Sequence, residues 1–306
     1  MRALLVVNPK ATATTARGRD ILSRALGSDL KLDVAETERR GHARVLARQA
    51  VRDEFDLVVA LGGDGTVNEC VNGLLDDGPG STALAVVPGG GANVFARTLG
   101  LPLDPVEATS AVLEALRAGR SRRIGVGRAD DRHFTFTAGL GLDAAAVHSV
   151  DRARRRGRRS TPQRYLRAAV NRYLLATDRR HPAITFEPTG GEPVPGLFVA
   201  IVSNCSPWTY FGDRPVYTSP RASYDDGLDL FAMRRLGVPS VTRAGLGMLS
   251  ARQIGPRGRA AVHRHDLAGF RLIAERPLDF QVDGEYLGER QAVSFTACPG
   301  ALRVIA

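Results

Sequence analysis

Two glycine-rich stretches hold the residues whose types and spacing could do chemistry. Gly62, Gly63, Asp64, Gly65 and Thr66 follow the apolar run Leu57 to Leu61 and lead into Val67 to Leu75, whose apolar positions have helical spacing. A strand, a glycine turn and a helix start meet there. Such a junction aims backbone N–H groups and the positive end of a helix dipole at an anion, and glycines let a phosphate reach the main chain with no Cβ in the way. Asp64 would repel that phosphate unless a cation lay between them, so an acid inside the loop points to a Mg²⁺–nucleotide. A second loop, Pro88, Gly89, Gly90, Gly91, Ala92 and Asn93, follows the apolar run Leu84 to Val87 and opens a helix at Val94 to Arg97. A lone GGDG is explained equally well as a tight turn with Asp64 as a helix cap, but two such loops arise by chance far less readily than one.

The elements around these loops alternate. Ala3 to Val7 reads as a strand running into Asn8-Pro9-Lys10, followed by a helix at Arg19 to Leu26, a strand at Leu30 to Ala35, and a helix at Ala43 to Arg52 with Val45, Leu46 and Ala50 inward. Val106 to Ala118 is a further amphipathic helix. This alternation predicts a parallel sheet covered on both faces, with ligands at the carboxyl ends of its strands. Asn8, Asp64 and the Gly89 to Gly91 loop all fall at such ends. Lys10 and Lys31 are the only lysines, and Lys10 is the better placed for a phosphate.

After Gly119 to Arg123 the texture changes to short β-type runs separated by turns: Ile124 to Val126, His133 to Ala138, Ala183 to Glu187, Leu197 to Ser203, Leu228 to Arg234, Gly269 to Ala274, Asp279 to Val282, Ala292 to Ala297 and Leu302 to Ile305. The expected organisation is an α/β domain over residues 1–123 and a second, β-rich sandwich domain over 124–306. A basic helical insert near 151–178 interrupts the second domain: Arg152 to Arg159 is followed by Arg164 to Leu175, in which Tyr165, Leu166, Ala169, Tyr173 and Leu174 share a face. Such an element suits an anionic membrane surface, at about 1 kcal/mol per arginine. Trp208, Tyr210 and Phe211 cluster in one loop, suited to an acyl-chain entrance, to lipid contact or to packing on the sheet. Gly139-Leu140-Gly141-Leu142-Asp143-Ala144 has the glycine spacing of a dinucleotide fingerprint but no βαβ unit around it, so that reading is set aside.

At 306 residues and 43% hydrophobic, the chain has ample material for packed cores. No stretch approaches 18 uninterrupted apolar residues, and Met1 to Val7 runs too quickly into Asn8-Pro9 for a signal peptide, so a cytoplasmic protein is expected. Cys70, Cys205 and Cys298 are too scattered for a disulfide framework or a zinc site. The net charge of +10 calls for a polyanionic partner. Nucleic acid is not expected, because aromatics are few and no recognition module is visible.

The string GGDGTVNECVNGLL, Gly62 to Leu75, resembles the ATP-binding signature of the diacylglycerol kinase catalytic-domain family, which includes sphingosine kinases and bacterial lipid kinases. Asn68-Glu69 resembles the lipid kinase branch, whereas NAD kinases share GGDGT and usually continue with apolar residues. The opening Asn8-Pro9, the Pro88 to Arg97 loop with Leu99-Gly100-Leu101-Pro102, the Gly139-x-Gly141-x-Asp143 segment, Asp225-Asp226-Gly227 and Asp283-Gly284-Glu285 are similar to further segments of the family, in order along nearly the whole chain. The resemblance implies an NAD-kinase/diacylglycerol-kinase-like nucleotide domain to which the last segment of the chain returns, and ATP and Mg²⁺ as cofactors. It implies phosphate or nucleotide contacts from Asn8, Pro9, Lys10, Gly62, Gly63, Gly65, Thr66, Asn68, Glu69, Gly89, Gly90, Gly91 and Asn93. Asp64 would order Mg²⁺ through water, and Asp143 and Glu285 would accept or orient the proton of a lipid hydroxyl. In some bacterial relatives the Asp-Gly-Leu segment holds Mg²⁺; carried over, the ligands are Asp226 and the carbonyls of Ser223 and Leu228. Diacylglycerol is the first expected acceptor, followed by sphingoid bases or other long-chain alcohols. An NAD kinase is the nearest enzymatic rival, and a catalytically silent lipid- or nucleotide-binding regulator the non-enzymatic one. Thr12, Gly91 and Val94 depart from the family pattern and keep that last reading in play. Peripheral membrane association is expected, and a homodimer is left open.

Overall fold

The computed structural model describes residues 1–11, 16–155 and 181–306. It divides into two compact units, Met1–Val126 with Pro299–Ala306, and Gly127–Cys298.

In the first unit the elements run β1 (Arg2–Val7), α1 (Ala16–Gly27), β2 (Lys31–Glu36), α2 (His42–Arg52), β3 (Leu57–Gly62), α3 (Asp64–Leu75), β4 (Ala83–Pro88), α4 (Val94–Thr98) and α5 (Pro105–Arg117). The strands stand in the order β4, β3, β1, β2, all parallel, and at the end of the chain Val304 pairs in parallel with Leu84. β3 and β4 are buried at every residue, which is why they read as unbroken apolar runs. Ala3, Leu5 and Val7 share a core cluster with Leu22 and Leu26 of α1 and Val112 and Leu113 of α5. α5 begins on a regular cap, with the Asp104 carboxylate accepting the Val106 and Glu107 N–H groups at 2.9 and 3.0 Å. α2 meets α3 through small residues: a Cβ on Gly73 would stand 2.2 Å from the Arg44 carbonyl oxygen and 2.9 Å from Ala47 Cβ. The inward face of α2 is therefore Ala43, Ala47 and Ala50, and Val45, expected inward, is 56% exposed.

β5 (Arg122–Ala129) leads into the second unit, which continues through β6 (Arg132–Phe134), β7 (Thr137–Gly141), α6 (Leu142–Arg155), β8 (Ile184–Pro188), β9 (Val194–Leu197), β10 (Val199–Ser203), β11 (Thr209–Phe211), β12 (Arg214–Val216), β13 (Leu228–Met233), α7 (Val238–Met248), β14 (Ala261–Leu267), β15 (Gly269–Val282) and β16 (Glu285–Val304). The pairing is antiparallel in the order β14, β13, β10, β7, β15, with β8 and β16 also on β15. A register shift between Ile273 and Leu278 lets one half of β15 pair with β8 and the other with β7. The strands build an apolar core that includes Phe134, Leu140, Phe186, Leu230 and Phe280, with Phe270 and Phe295 stacked at 5.0 Å. The chain thus joins a parallel α/β unit to a β-rich unit. The runs expected as four strands after residue 269 are two long ones, β15 and β16.

The helical stretch expected at Arg164 to Leu175, residues 156–159 of the basic run Arg152 to Arg159, and Thr12 lie outside the described residues; Arg152 is exposed on α6. Among the described residues all three cysteines are free thiols, and no helix is long and apolar enough to cross a membrane.

Candidate active site

The two glycine loops of the first unit touch. Parallel pairing brings Gly62 opposite Pro88, and the Gly89 N–H donates to the Gly62 carbonyl at 2.8 Å. A Cβ on Gly90 would stand 2.6 Å from Gly63 Cα, and one on Gly63 would stand 3.1 Å from Gly90 Cα. Glycine at 90 is therefore a steric requirement of this contact, and a side chain at 63 would crowd it. Asn93, in a left-handed conformation at φ 48°, braces the second loop: its Oδ1 accepts the Gly90 N–H and its Nδ2 donates to the Gly90 carbonyl, both at 2.9 Å. Gly65 and Gly91 are exposed, and a Cβ on either would meet nothing within 4 Å. Open main chain thus lines both loops. α3 starts at Asp64, earlier than the expected Val67, with Gly63 as N-cap and no side chain capping it. Its positive end is left to an anion.

Asp64 does two things at once. Its Oδ1 accepts the Phe95 N–H at 3.1 Å, in the first turn of α4, so the carboxylate ties the two loops together as well as placing a negative charge between them. Asn8 closes the arrangement from β1: its Nδ2 donates to Thr66 Oγ1 at 3.0 Å, and its Oδ1 accepts the Lys10 N–H at 3.0 Å. Thr66 in turn lies over Gly62, where a Cβ would stand 2.6 Å from Thr66 Oγ1. Pro9 and the Lys10 side chain are exposed beside this cluster. The structure therefore brings together Asn8, Pro9, Lys10, Gly62, Gly63, Asp64, Gly65, Thr66, Gly89, Gly90, Gly91 and Asn93.

It does not bring Asn68 and Glu69 to the same surface. Asn68 is 1% exposed, and the Asn72 amide donates to its side chain at 3.1 Å. Glu69 caps α2, accepting the Gly41 N–H at 2.8 Å and the Ala43 N–H at 3.1 Å. Glu69 thus ties α3 to α2, while the Asn68 side chain is bonded within α3. Glu69→Ala is expected to cost about 1–2 kcal/mol in denaturant unfolding, by loss of a helix cap, with the KM for ATP unchanged. Gly90→Ala is expected to act oppositely: its Cβ forces the loops apart, lowering nucleotide affinity by on the order of tenfold or more, alongside an overpacking cost of about 1–3 kcal/mol.

In the second unit Asp143 is the second residue of α6, 6% exposed, and its Oδ2 accepts from Gln281 Nε2 at 2.8 Å. Gly139 makes room for it, since a Cβ there would stand 2.1 Å from that oxygen. Gln281 Oε1 accepts the Gly284 N–H at 2.9 Å, which links Asp143 to the turn that carries Glu285. Glu285 Oε2 accepts from Arg132 Nη2 at 2.9 Å. Asp283, between them, is 5% exposed and organises the turn: its oxygens accept the N–H groups of Thr135 (2.7 Å), Phe136 (3.0 Å) and Thr137 (3.0 Å) and the Thr135 hydroxyl (2.9 Å). Next to Glu285, the Tyr286 ring stacks on His148 at 3.8 Å, and His148 Nδ1 lies 3.1 Å from Asp279 Oδ1. Burial, then the hydrogen bond to Asp279, pushes the Tyr286 phenol up to about 12. Arg132, His148 and Tyr286 had no local signal in the sequence, and Asp283 stood out there only as part of Asp283-Gly284-Glu285.

Asp226 is exposed in the turn before β13, where its N–H meets the Ser223 carbonyl at 3.3 Å. The turn is held by Asp266, whose Oδ1 accepts the Gly227 N–H at 2.8 Å. The Asp266 N–H and His265 Nδ1 both reach Asp229 Oδ1, at 3.1 and 2.6 Å, and burial pushes the Asp229 carboxyl above its ordinary range. Ser223, Asp226 and Leu228 thus offer one carboxylate and two carbonyl oxygens within six residues, a donor set suited to a hard cation.

Comparison with known proteins covers both units unequally. Residues 2–129 match the model of the diacylglycerol kinase catalytic domain. The chain is 37% identical over 160 residues to a diacylglycerol kinase of Bacillus subtilis (strain 168), covering 49% of this chain and 48% of the relative. It is 34% identical over 148 residues to a diacylglycerol kinase of Staphylococcus epidermidis, covering 46% of this chain and 43% of the relative. The match thus spans about half the length of these curated relatives. A crystal structure of a putative diacylglycerol kinase from Bacillus anthracis str. Sterne superposes with a TM-score of 0.78 at 22% identity, covering 99% of this chain and 96% of that one, which shows a shared fold over both units. Residues 2–129, with their two touching glycine loops, are thus similar to the diacylglycerol kinase catalytic domain.

Proposed function

We propose that this chain is an ATP-dependent lipid kinase that transfers the γ-phosphoryl group to the primary hydroxyl of a lipid, with diacylglycerol as the acceptor and phosphatidic acid as the product. The observation that carries the reading is the contact between the two glycine loops, with open main chain on both, an uncapped helix terminus and the Asp64 carboxylate between them. Backbone N–H groups and fixed dipoles at one point suit a triphosphate, whose transfer depends on positioning and charge neutralisation more than on covalent chemistry. The identity of the relatives supports the acceptor class.

The Asp64 carboxylate, a hard oxygen donor between the loops, would hold Mg²⁺ beside the phosphates; when bound, the ion would neutralise charge on the transferring group. Ser223, Asp226 and Leu228 would hold a second Mg²⁺ in the second unit. In the transfer, an acceptor oxygen–phosphorus bond forms, the bond from the γ-phosphorus to the bridging oxygen breaks, ADP leaves, and the hydroxyl proton passes to a carboxylate. Asp143 and Glu285 are the two candidates for that carboxylate, each held by a side-chain donor, Gln281 and Arg132. The exposed arginines, Arg152 among them, would hold the enzyme at an anionic membrane where its acceptor resides.

The test compares Asp143→Asn and Glu285→Gln in steady-state transfer to micellar diacylglycerol. The carboxylate that takes the proton should cost about 10²–10⁴-fold in kcat when neutralised, with the KM for ATP little changed. Wild-type turnover in both variants would remove both from the mechanism.

A further inference from the structure

In the second unit the large apolar side chains left exposed among the described residues are Phe211, Val238, Leu246 and Leu249, at 39, 60, 70 and 37%. They gather around one helix. α7 buries Ala244 and rests Val241 and Met248 against the Phe231, Met233 and Leu236 cluster. At 100° per residue, Val238, Leu246 and Leu249 fall within an arc of roughly 80° next to that inward face. The β11–β12 hairpin is fastened to the end of the same helix: Arg214 donates to the Leu249 carbonyl, and the Tyr217 N–H donates to the Met248 carbonyl at 2.9 Å. Phe211 is the cross-strand partner of Arg214 at the hairpin tip.

Along α7 and the segments flanking it, the charge has one sign. From Arg234 to His265 the chain holds seven arginines and no acidic residue. All seven are exposed, Arg243 on α7 and Arg252, Arg257 and Arg259 on the loop that follows it. That loop is pressed against α7, since a Cβ on Gly247 would stand 2.5 Å from the Gly255 carbonyl oxygen and one on Gly258 3.5 Å from Arg243 Cδ. The acid nearest in sequence to the exposed aromatic is Asp213, in the hairpin turn.

We propose that α7 and the β11–β12 hairpin form a docking surface for an anionic lipid bilayer. Phe211, Val238, Leu246 and Leu249 enter the boundary of the acyl region, and the arginines around them meet the headgroup phosphates. A second copy of the chain fits this face poorly, because an isologous contact would set the arginines of one protomer against those of the other. A neutral protein groove would leave the arginines unanswered. The purpose of the surface rests on the lipid-kinase reading; its geometry does not.

The experiment is co-sedimentation of the full chain with phosphatidylcholine vesicles made with and without phosphatidylglycerol, across a salt series, with lipid phosphorylation assayed separately on micellar diacylglycerol. The chain is expected to bind the anionic vesicles, less so as salt rises. Val238→Ser with Leu246→Glu should lower that binding at least about tenfold while the micellar assay and the melting temperature hold, since both side chains are exposed. Arg257→Gln with Arg259→Gln should flatten the salt dependence. Vesicle binding unchanged in the Val238/Leu246 variant overturns the proposal, as does equal binding to neutral and anionic vesicles. So does a wild-type oligomer that this variant dissociates, which would make the face a contact between copies. Vesicle binding that responds as expected in a chain that phosphorylates no lipid supports the docking surface and removes the kinase reading.

Discussion

Asp64→Asn is expected to lower kcat for phosphoryl transfer by on the order of 10²–10³-fold while leaving the protein folded, because one change separates the two jobs of this side chain. The amide keeps an oxygen where Oδ1 accepts the Phe95 N–H, so the start of α4 stays tied to the first loop. The negative charge between the loops is gone. Asp64→Ala removes both, adding a cap loss of about 1 kcal/mol to the same fall in rate. Steady-state kinetics with Mg²⁺–ATP beside thermal unfolding of the two variants distinguishes the roles. Full turnover in Asp64→Asn would mean that the carboxylate is only a cap.

Asp283→Ala is expected to have the largest effect on stability. Its carboxylate receives three main-chain N–H groups and one hydroxyl, all from Thr135, Phe136 and Thr137, at 5% exposure. Removing it leaves four buried donors without an acceptor. At about 1–3 kcal/mol per unsatisfied group, discounted for water entering the space, the loss should reach roughly 3–5 kcal/mol. That is a large part of the usual stability of a domain, about 5–15 kcal/mol. Denaturant unfolding measures it directly. A loss under about 1 kcal/mol would show that the turn bearing Glu285 is held by something other than this carboxylate.

The first unit of the fold was readable because its signals are local. Leu57 to Leu61 and Leu84 to Val87 are unbroken apolar runs beside glycines, and both became buried parallel strands. The boundary at α3 was less readable: Gly65 and Thr66 look like turn residues, yet they sit in the first turn of the helix. Glu69 was assigned with its neighbours in the motif, but its partners Gly41 and Ala43 lie 28 and 26 residues upstream. The role of Asp283 within Asp283-Gly284-Glu285 was hidden for a similar reason, since the donors that fix it are 146 to 148 residues away. Pro277 divided β15 in the sequence, where a proline normally ends a strand run; in the fold it falls within the register shift that bends the strand. α7 was missed because Gly245 and Gly247 weaken its helical pattern, although Pro239 in its first turn was a usable start signal.

The most direct measurement is transfer of labelled phosphate from ATP, with Mg²⁺, into diacylglycerol, sphingosine and NAD offered separately, with the products resolved. The expected result is labelled phosphatidic acid that disappears in Asp64→Asn. Label in NAD, or ATP binding with no lipid product, would contradict the account.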